Sequence, residues 1–208
     1  MALEKWYVKQ VNRSDIASFI EKWHYSKSIN GCISDYCYAL YDGHHNMKGA
    51  MFYGRMAMAN QWKKFADDAL DVIELRRLCC VDDTPRNAES FFIGKSLRLL
   101  EKSWGGTTVI SYADKEYGHG GIIYKASNFE MIADIPGAKV IVYGDRQYHD
   151  KTIRTKYKGE LKPFAQKVKS ALERGDAYYK KTKGKYTYQY ILRKKRVDKS
   201  PISNWFSH

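Results

Sequence analysis

No stretch of this chain approaches the ~18 consecutive apolar residues that span a membrane. Its first residues, Met1-Ala2-Leu3-Glu4-Lys5-Trp6, include no apolar signal region. No membrane partner is therefore expected. Internal repeats and low-complexity linkers are also missing, so nothing marks a string of tethered modules. Cysteine is scarce, with four residues: Cys32, Cys37, Cys79 and Cys80. Neighbours in an extended strand point to opposite faces, so Cys79 and Cys80 make a poor chelating pair. The Cys32 and Cys37 spacing has no matching second pair, which argues against zinc. Small buried reduced thiols are the expectation, and with no signal region the cytoplasm is the expected compartment.

What is present is the composition of a folded chain. A hydrophobic fraction of 44% and an aromatic fraction of 14% exclude a mainly disordered polymer. The 208 residues allow one domain, or one domain with an appendage, and can bury a core without disulfide or metal staples. The formal net charge is +13, and it is unevenly placed. Residues 1–150 hold 19 Lys/Arg and 19 Asp/Glu, whereas residues 151–208 hold 17 Lys/Arg and 4 Asp/Glu. A neutral body with a basic C-terminal part suits a polyanion, most often nucleic acid.

Periodicity predicts a mixed α/β fold. Residues 5–11 read as a first strand. Ser14 is placed to cap a helix whose Ile16, Phe19, Ile20 and Trp23 follow helical spacing, and which stops before Asn30-Gly31. Residues 36–41 and 48–56 flank Asp42-Gly43 as an antiparallel hairpin. Residues 71–81 read as a central strand, although Glu74, Arg76 and Arg77 are polar. Those three form either one solvated face or a strand edge opening into a cleft. Pro85, with Thr84 or Asn87 as cap, starts a helix that aligns Ile93, Leu97, Leu100 and Trp104 and ends at Gly105-Gly106. Residues 107–113 form an apolar strand, 118–127 a short helix, and 130–135 with 138–143 a hairpin around Pro136-Gly137. In the basic part, residues 163–175 carry Phe164, Val168, Ala171 and Leu172 at helical spacing. Residues 185–192 alternate Tyr186, Tyr188, Tyr190 and Leu192 as a strand that returns to the body. This order predicts a mixed sheet with helices on its faces.

The densest chemistry lies in residues 109–129, which hold Ser111, Tyr112, Asp114, Glu116, Tyr117, His119 and Tyr124. In doubly wound sheets, ligands bind beyond the carboxyl ends of central strands, and Ser111 to Asp114 is such an end. His119 is expected at the start of the next helix, where the helix N-terminus depresses its proton affinity and attracts anions. Asp114 and His119 can instead be plain caps of that helix. A second cluster, His24-Tyr25-Ser26, leaves the first helix into a loop. Alone it reads as a surface loop; with Asp114 and His119, His24 completes a histidine/carboxylate set suited to iron. His44-His45 sits in a turn, and Asp145, His149 and Asp150 are weaker ligand candidates. The basic part interleaves aromatics with cations: Lys156-Tyr157-Lys158, Tyr178-Tyr179-Lys180-Lys181, Lys183, Lys185-Tyr186 and Arg193-Lys194-Lys195-Arg196. Cations neutralise phosphates and tyrosine faces stack on exposed bases. A solvated basic face with core tyrosines is the alternative.

Residues 75–129 resemble the GNAT N-acetyltransferase superfamily. More closely, the chain is similar to the Mom DNA-modification proteins of phages. The resemblance is carried by Glu74-Leu75-Arg76-Arg77-Leu78, by Asn87-Ala88-Glu89-Ser90-Phe91-Phe92-Ile93-Gly94 and by Ile110-Ser111-Tyr112-Ala113-Asp114. It continues through Gly118-His119-Gly120-Gly121 and Tyr124-Lys125-Ala126-Ser127-Asn128-Phe129, and it includes His24-Tyr25-Ser26. It covers residues 14–157.

The resemblance implies a GNAT-like fold: a mixed, mostly antiparallel central sheet flanked by helices. Residues 1–150 are then the catalytic domain, and residues 151–208 a basic helix-plus-strand extension that packs on it and contacts DNA. It implies an enzyme that converts adenine in DNA to a base whose exocyclic amine carries a carbamoylmethyl group. That product shields phage DNA from restriction in the cytoplasm of the infected bacterium. An acyl-CoA donor (acetyl-CoA) and iron are implied, the metal held by His24, Asp114 and His119. Plain acetyl transfer cannot supply the product's terminal amide nitrogen. An activated glycine such as glycyl-tRNA can, because a glycyl group on the amine is a constitutional isomer of carbamoylmethyl. The implied partners are double-stranded DNA with a flipped adenine and a tRNA or CoA donor; a dimer is compatible.

Roles carry over residue by residue. His24, Tyr25, Ser111, Asp114, His119 and Tyr124 are the catalytic set, with Asp114 or His119 as base. Tyr124 is the acid for the leaving group, or else a core tyrosine. Arg77, Arg86, Asn87 and Ser90 face the donor. Lys180, Lys181, Lys183, Lys185, Tyr186, Arg193, Lys194, Lys195 and Arg196 face DNA. One departure stands out. GNAT enzymes cradle a pyrophosphate with an Arg/Gln-x-x-Gly-x-Gly/Ala loop at a helix N-terminus. Here Glu89 and Phe91 of Arg86-Asn87-Ala88-Glu89-Ser90-Phe91 replace both small residues, and a carboxylate opposes a pyrophosphate. The alternatives are another GNAT-type N-acetyltransferase, acting on protein or small amines, and a non-catalytic DNA-binding protein on a degenerate GNAT fold.

Overall fold

Strands β2 (Tyr36–Tyr41) and β3 (Met47–Gly54) pair antiparallel, with Ala39 opposite Ala50 and Cys37 opposite Phe52. Their turn is held by Asp42, whose carboxylate accepts the backbone N–H groups of His44 and Asn46. The computed structural model describes residues 3–58 and 60–193. Strand β1 (Tyr7–Val11) adds antiparallel to β2, and β4 (Val72–Cys80) antiparallel to β3. Strand β4 then pairs in parallel with β5 (Thr108–Asp114). Parallel neighbours need a long crossover, and helix α2 (Ala88–Ser103) supplies it. The strand order is β1-β2-β3-β4-β5.

Helix α1 (Arg13–Trp23) starts from Asn12 rather than Ser14: the Asp15 carboxylate accepts the Asn12 N–H at 2.8 Å, as in a capping box. Its Ile16 and Ile20 pack with Ala39, Ala50, Phe52 and Cys79. Helix α2 covers the other face. There Tyr53 and Ser96 share a hydroxyl hydrogen bond of 2.7 Å, and Phe92 lies against Gly49. Adjacent strand residues face opposite ways, so Phe52 and Tyr53 serve one helix each.

The chain divides into two units. The first takes the residues up to Ser111 and those from Gln189 onward; the inserted unit is Tyr112–Tyr188. The divisions fall within β5 and within the last strand, β12 (Lys185–Ile191). In the first unit the Leu192 N–H donates to the Thr107 carbonyl at 2.7 Å, just before β5.

The inserted unit starts with the end of β5 and a 3-10 turn, Lys115–Tyr117. Helix α3 (Ile122–Lys125) is one turn long. The helix expected over 118–127 is cut back to it because Gly118 and Gly121 take left-handed φ values of 74° and 71°. Strand β6 (Glu130–Ile135) lies beside β12. Strand β7 (Lys139–Tyr143) does not return along β6, so the expected hairpin does not form. Instead β7 sits between β8 (Arg146–His149) and β11 (Ala177–Lys181) in a second, three-stranded sheet. Pro136-Gly137 is where the chain changes sheet. Gly137 runs so close to the Thr182 carbonyl that no side chain fits. A short ladder of β9 (Lys156–Tyr157) and β10 (Glu160–Leu161) follows. Helix α4 (Pro163–Arg174) opens on proline, closes on left-handed Gly175, and packs Val168 and Ala171 on Ile141 and Ala177.

The architecture is therefore mixed α/β, with a mostly antiparallel central sheet flanked by helices. Among the described residues, no helix is long and apolar enough to cross a membrane.

Candidate active site

The parallel ladder of β4 and β5 runs from Val72 opposite Thr108 to Leu75 opposite Ser111. Ser111 is fully buried there, and its hydroxyl donates to the Leu75 carbonyl at 3.2 Å, tying the two strands at the last pair of the ladder. Just beyond, β4 is irregular: Leu75 faces Tyr53 and Arg77 faces Phe52, leaving Arg76 as an extra residue, a β-bulge. The polar run in this strand is not a solvated face. Glu74 is only 9% exposed and lies 3.9 Å from the Arg76 guanidinium. Arg76 donates to the Arg55 carbonyl and Arg77 to the Arg76 carbonyl, each at 2.8 Å. The Nε groups of Arg76 and Arg77 are buried without a hydrogen-bond partner among the described residues. Bulges re-aim side chains beside functional sites, and this one brings two guanidinium groups to the end of the ladder.

The expected donor loop lies at the start of α2. Arg86 and Asn87 are exposed, and Asn87 makes no side-chain cap. The Ala88 N–H donates to the Pro85 carbonyl, the Phe91 N–H to the Asn87 carbonyl, and the Ser90 hydroxyl turns back onto Asn87. Glu89 puts a carboxylate in the first turn. With two amides and the Ser90 hydroxyl engaged and an acid in the first turn, the loop departs from the glycine-bearing pyrophosphate cradle of GNAT enzymes.

His24 closes α1 and is only 4% exposed. Its Nδ1 accepts the Ser26 N–H at 3.1 Å, so the neutral ring carries its proton on Nε2. The Tyr25 ring lies 4.1 Å from that of His24. In the inserted unit, Asp114 accepts the Glu116 N–H at 3.0 Å and faces the Lys185 ammonium at 3.4 Å. It therefore caps a 3-10 turn. His119 is exposed in the Gly118-His119-Gly120-Gly121 loop, three residues before a one-turn helix rather than at a helix start. Its backbone N–H donates to the Asp114 carbonyl at 3.3 Å, which joins the two on one loop. Tyr124 is buried between Phe129 and Tyr188, with ring centroids 5.6 and 5.1 Å away.

Sequence patterns did not single out Tyr188, although its place in the Tyr186/Tyr188/Tyr190 alternation marked it as facing inward. Its hydroxyl donates to the Gly120 carbonyl at 3.0 Å, and its ring fills the space where Gly121 would carry a side chain. Burial pushes its phenol up, which keeps it a donor. Glu116 was also missed as a site residue. Its carboxylate takes the Lys180 ammonium and the Lys183 N–H, and the hydrogen bond from Lys180 holds it below the usual carboxylate range. Lys115 pairs with Asp134 and lies 4.2 Å from the Tyr186 ring centroid.

Of the cations expected to face DNA, Lys180, Lys183 and Lys185 thus meet the 114–116 corner, through an ion pair, a backbone bond and a looser ion pair. Lys181 is exposed. Arg193 donates to the Glu101 and Trp104 carbonyls at the C-terminal end of α2, where a cation suits the helix dipole. Lys194, Lys195 and Arg196 lie outside the described residues.

The iron reading finds no ligand set. Among the described residues, no three His, Cys, Asp or Glu side chains gather to hold a metal. His24 uses Nδ1 on Ser26, and Asp114 is engaged by Lys185 and Glu116. The thiols are free, and burial pushes Cys79 up to about 12, which removes it as a nucleophile.

Comparisons with known proteins agree with this architecture. The ribosomal-protein-S18-alanine N-acetyltransferase of Escherichia coli superposes with a TM-score of 0.53 at 10% identity, over 93% of this chain and 97% of that one. A spermidine N-acetyltransferase of Vibrio cholerae, solved with CoA and spermine, gives 0.50 at 8% identity, over 90% and 96%. At those identities the likeness is one of fold. In sequence, the methylcarbamoylase mom of Escherichia phage Mu is 26% identical over 145 residues, 68% of this chain and 59% of that protein. The match thus spans less than two thirds of that relative's length. The model of the Mom protein family matches residues 5–204. Nearly the whole described chain is covered by that match, and the chain belongs to the Mom protein family.

Proposed function

We infer that this chain is a phage DNA-modification enzyme that places a carbamoylmethyl group on the exocyclic amine of adenine, protecting the DNA from restriction. The observation that carries this reading is the family match over residues 5–204. The name of the phage Mu relative, a methylcarbamoylase, supplies the group transferred. The acetyltransferase-like fold supports transfer to an amine. The basic residues 151–208, as a DNA-contacting extension, supply the polyanion grip.

The adenine amine is a poor nucleophile because its lone pair is delocalised into the ring. It must be flipped out of the duplex, aligned, and relieved of a proton as the new bond forms. On this reading Asp114 or His119 takes that proton, on the loop that Tyr188 holds. Tyr124 donates to the leaving group, and His24, Tyr25 and Ser111, in the first unit, keep the catalytic part that the resemblance implies. The donor is an activated glycine, such as glycyl-tRNA. The N–C bond to adenine forms, the ester C–O bond breaks, and the carrier leaves as an alcohol. Rearrangement of the glycyl product, without gain or loss of atoms, gives the carbamoylmethyl base. The α2 N-terminus, where the Glu89 carboxylate opposes a pyrophosphate, favours this donor over a CoA thioester.

The test is expression in a restriction-deficient bacterium, followed by mass spectrometry of hydrolysed DNA. An adenine heavier by the carbamoylmethyl increment, labelled when labelled glycine is fed, is the expected result. Unmodified DNA, with acetylated protein or amines instead, identifies an ordinary acetyltransferase. DNA binding without any modification identifies a binding protein on this fold. Asp114→Ala and Tyr124→Phe are expected to lower modification while DNA binding persists.

A further inference from the structure

The second sheet of the inserted unit carries a cavity of about 460 Å³, lined by Gly137, Lys139, Tyr179, Lys180 and Lys181. No acidic residue is in that lining. Lys180 is answered by Glu116, but the other two lysines face each other: in the antiparallel register of β7 and β11, Lys139 stands directly opposite Lys181. Directly opposed like charges destabilise a strand pair. The Lys139 ammonium is held over the Tyr179 ring, 3.8 Å from its centroid, and Tyr179 is 45% exposed. Residues 139, 179 and 181 share one face of the ribbon because directly opposed and alternate residues project together. Gly137 admits no side chain, so nothing from that position can fill the cavity mouth.

A repulsive lysine pair beside an exposed aromatic ring fits an anion attached to a flat, unstacked ring. We propose that this cavity binds a single nucleic-acid strand, a phosphate between Lys139 and Lys181 and a base against Tyr179. A duplex hides its base faces, whereas extrusion of a target base leaves single-stranded character nearby. The proposal rests on the DNA-modification reading and names where the protein grips the opened strand.

The experiment measures fluorescence anisotropy of the full chain with a labelled single-stranded DNA, the same sequence as duplex, and an abasic strand. Lys139→Glu is the decisive variant. It turns the repulsive cross-strand pair into an attractive one, so thermal stability holds or rises while strand affinity falls by on the order of tenfold at low salt. The Lys139→Gln/Lys181→Gln double variant lowers the slope of log affinity against log salt by about 0.7, the single-strand value for one phosphate contact. Tyr179→Leu weakens the base-bearing strand about fivefold or more and spares the abasic one. Affinity unchanged in Lys139→Glu overturns the proposal. So does equal loss for duplex and single strand, or an equal Tyr179→Leu effect on abasic and normal strands. Adenine modification is scored separately on the wild type. A chain that leaves adenine unmodified, yet loses strand binding in these variants, rejects the enzymatic reading and keeps the strand site.

Discussion

The two units are held by different forces. In the first, apolar side chains fill both faces of the sheet: Ile16, Ile20 and Phe52 on the α1 side, Phe92 and Tyr53 on the α2 side. In the inserted unit, α4 covers one face of a small sheet, and three ion pairs help fasten the segment that carries Asp114 and His119. Asp114 meets Lys185, Lys115 meets Asp134, and Glu116 meets Lys180. Apolar burial is indifferent to pH and strengthened by most salts, whereas exposed ion pairs are screened within about 10 Å at 0.1 M. The candidate catalytic loop is thus tuned by salt that leaves the apolar faces of the first unit alone.

The largest expected effect tests the first half of that contrast. Phe52→Ala opens a cavity under α1 and should lower stability by about 3–5 kcal/mol, equally at low and high salt, in urea unfolding. A salt-dependent loss would break the comparison. The next effect lies in the inserted unit, at a point where its loop is fixed by shape. Gly121→Ala puts a β-carbon into the Tyr188 ring at a left-handed φ of 71°, and should cost about 2–3 kcal/mol. It should also lower modification more than the stability loss explains, because the Gly120 carbonyl leaves the Tyr188 hydroxyl. A neutral Gly121→Ala would mean that charge alone holds the loop.

The same contrast explains what could be read in advance. The segments 36–41, 71–81 and 107–113 stand out because their strands are buried, and their apolar runs say so. Strand β11, Ala-Tyr-Tyr-Lys-Lys, and strand β8, Arg-Gln-Tyr-His, are half exposed and polar, so no alternation reveals them. Pro136-Gly137 looks like a hairpin turn from either side, and only the pairing of β7 with β8 and β11 distinguishes a change of sheet. The Gly118–Gly121 loop passed for helix because left-handed glycines leave no local pattern. Among site residues, Asp114, His119 and Tyr124 are visible as types in a dense segment. The parts of Tyr188 and Glu116 are long-range, from residues 68 and 64 positions apart from their partners, and spacing carries no trace of that.

The smallest effect is the most diagnostic. Glu116 is held below its ordinary 4.5, first by Lys180 and then by the Lys183 N–H. A carboxylate whose folded value is lowered stabilises the fold fully above the unfolded value, and that contribution is lost as pH falls through the folded one. The difference in melting temperature between the wild type and Glu116→Gln should therefore be largest near neutral pH and vanish well below 4.5. Salt should shrink it as well, because the pair is solvent-facing. Asp42 in the first unit provides the control. It too is lowered, but first by the Asn46 N–H rather than by a cation. Asp42→Asn should accordingly show the same acid dependence with little salt dependence. If both variants respond to salt alike, the fastening of the 114–116 corner is not an ion pair in solution, and the division between a shape-held unit and a charge-held one fails at the residue that best expresses it.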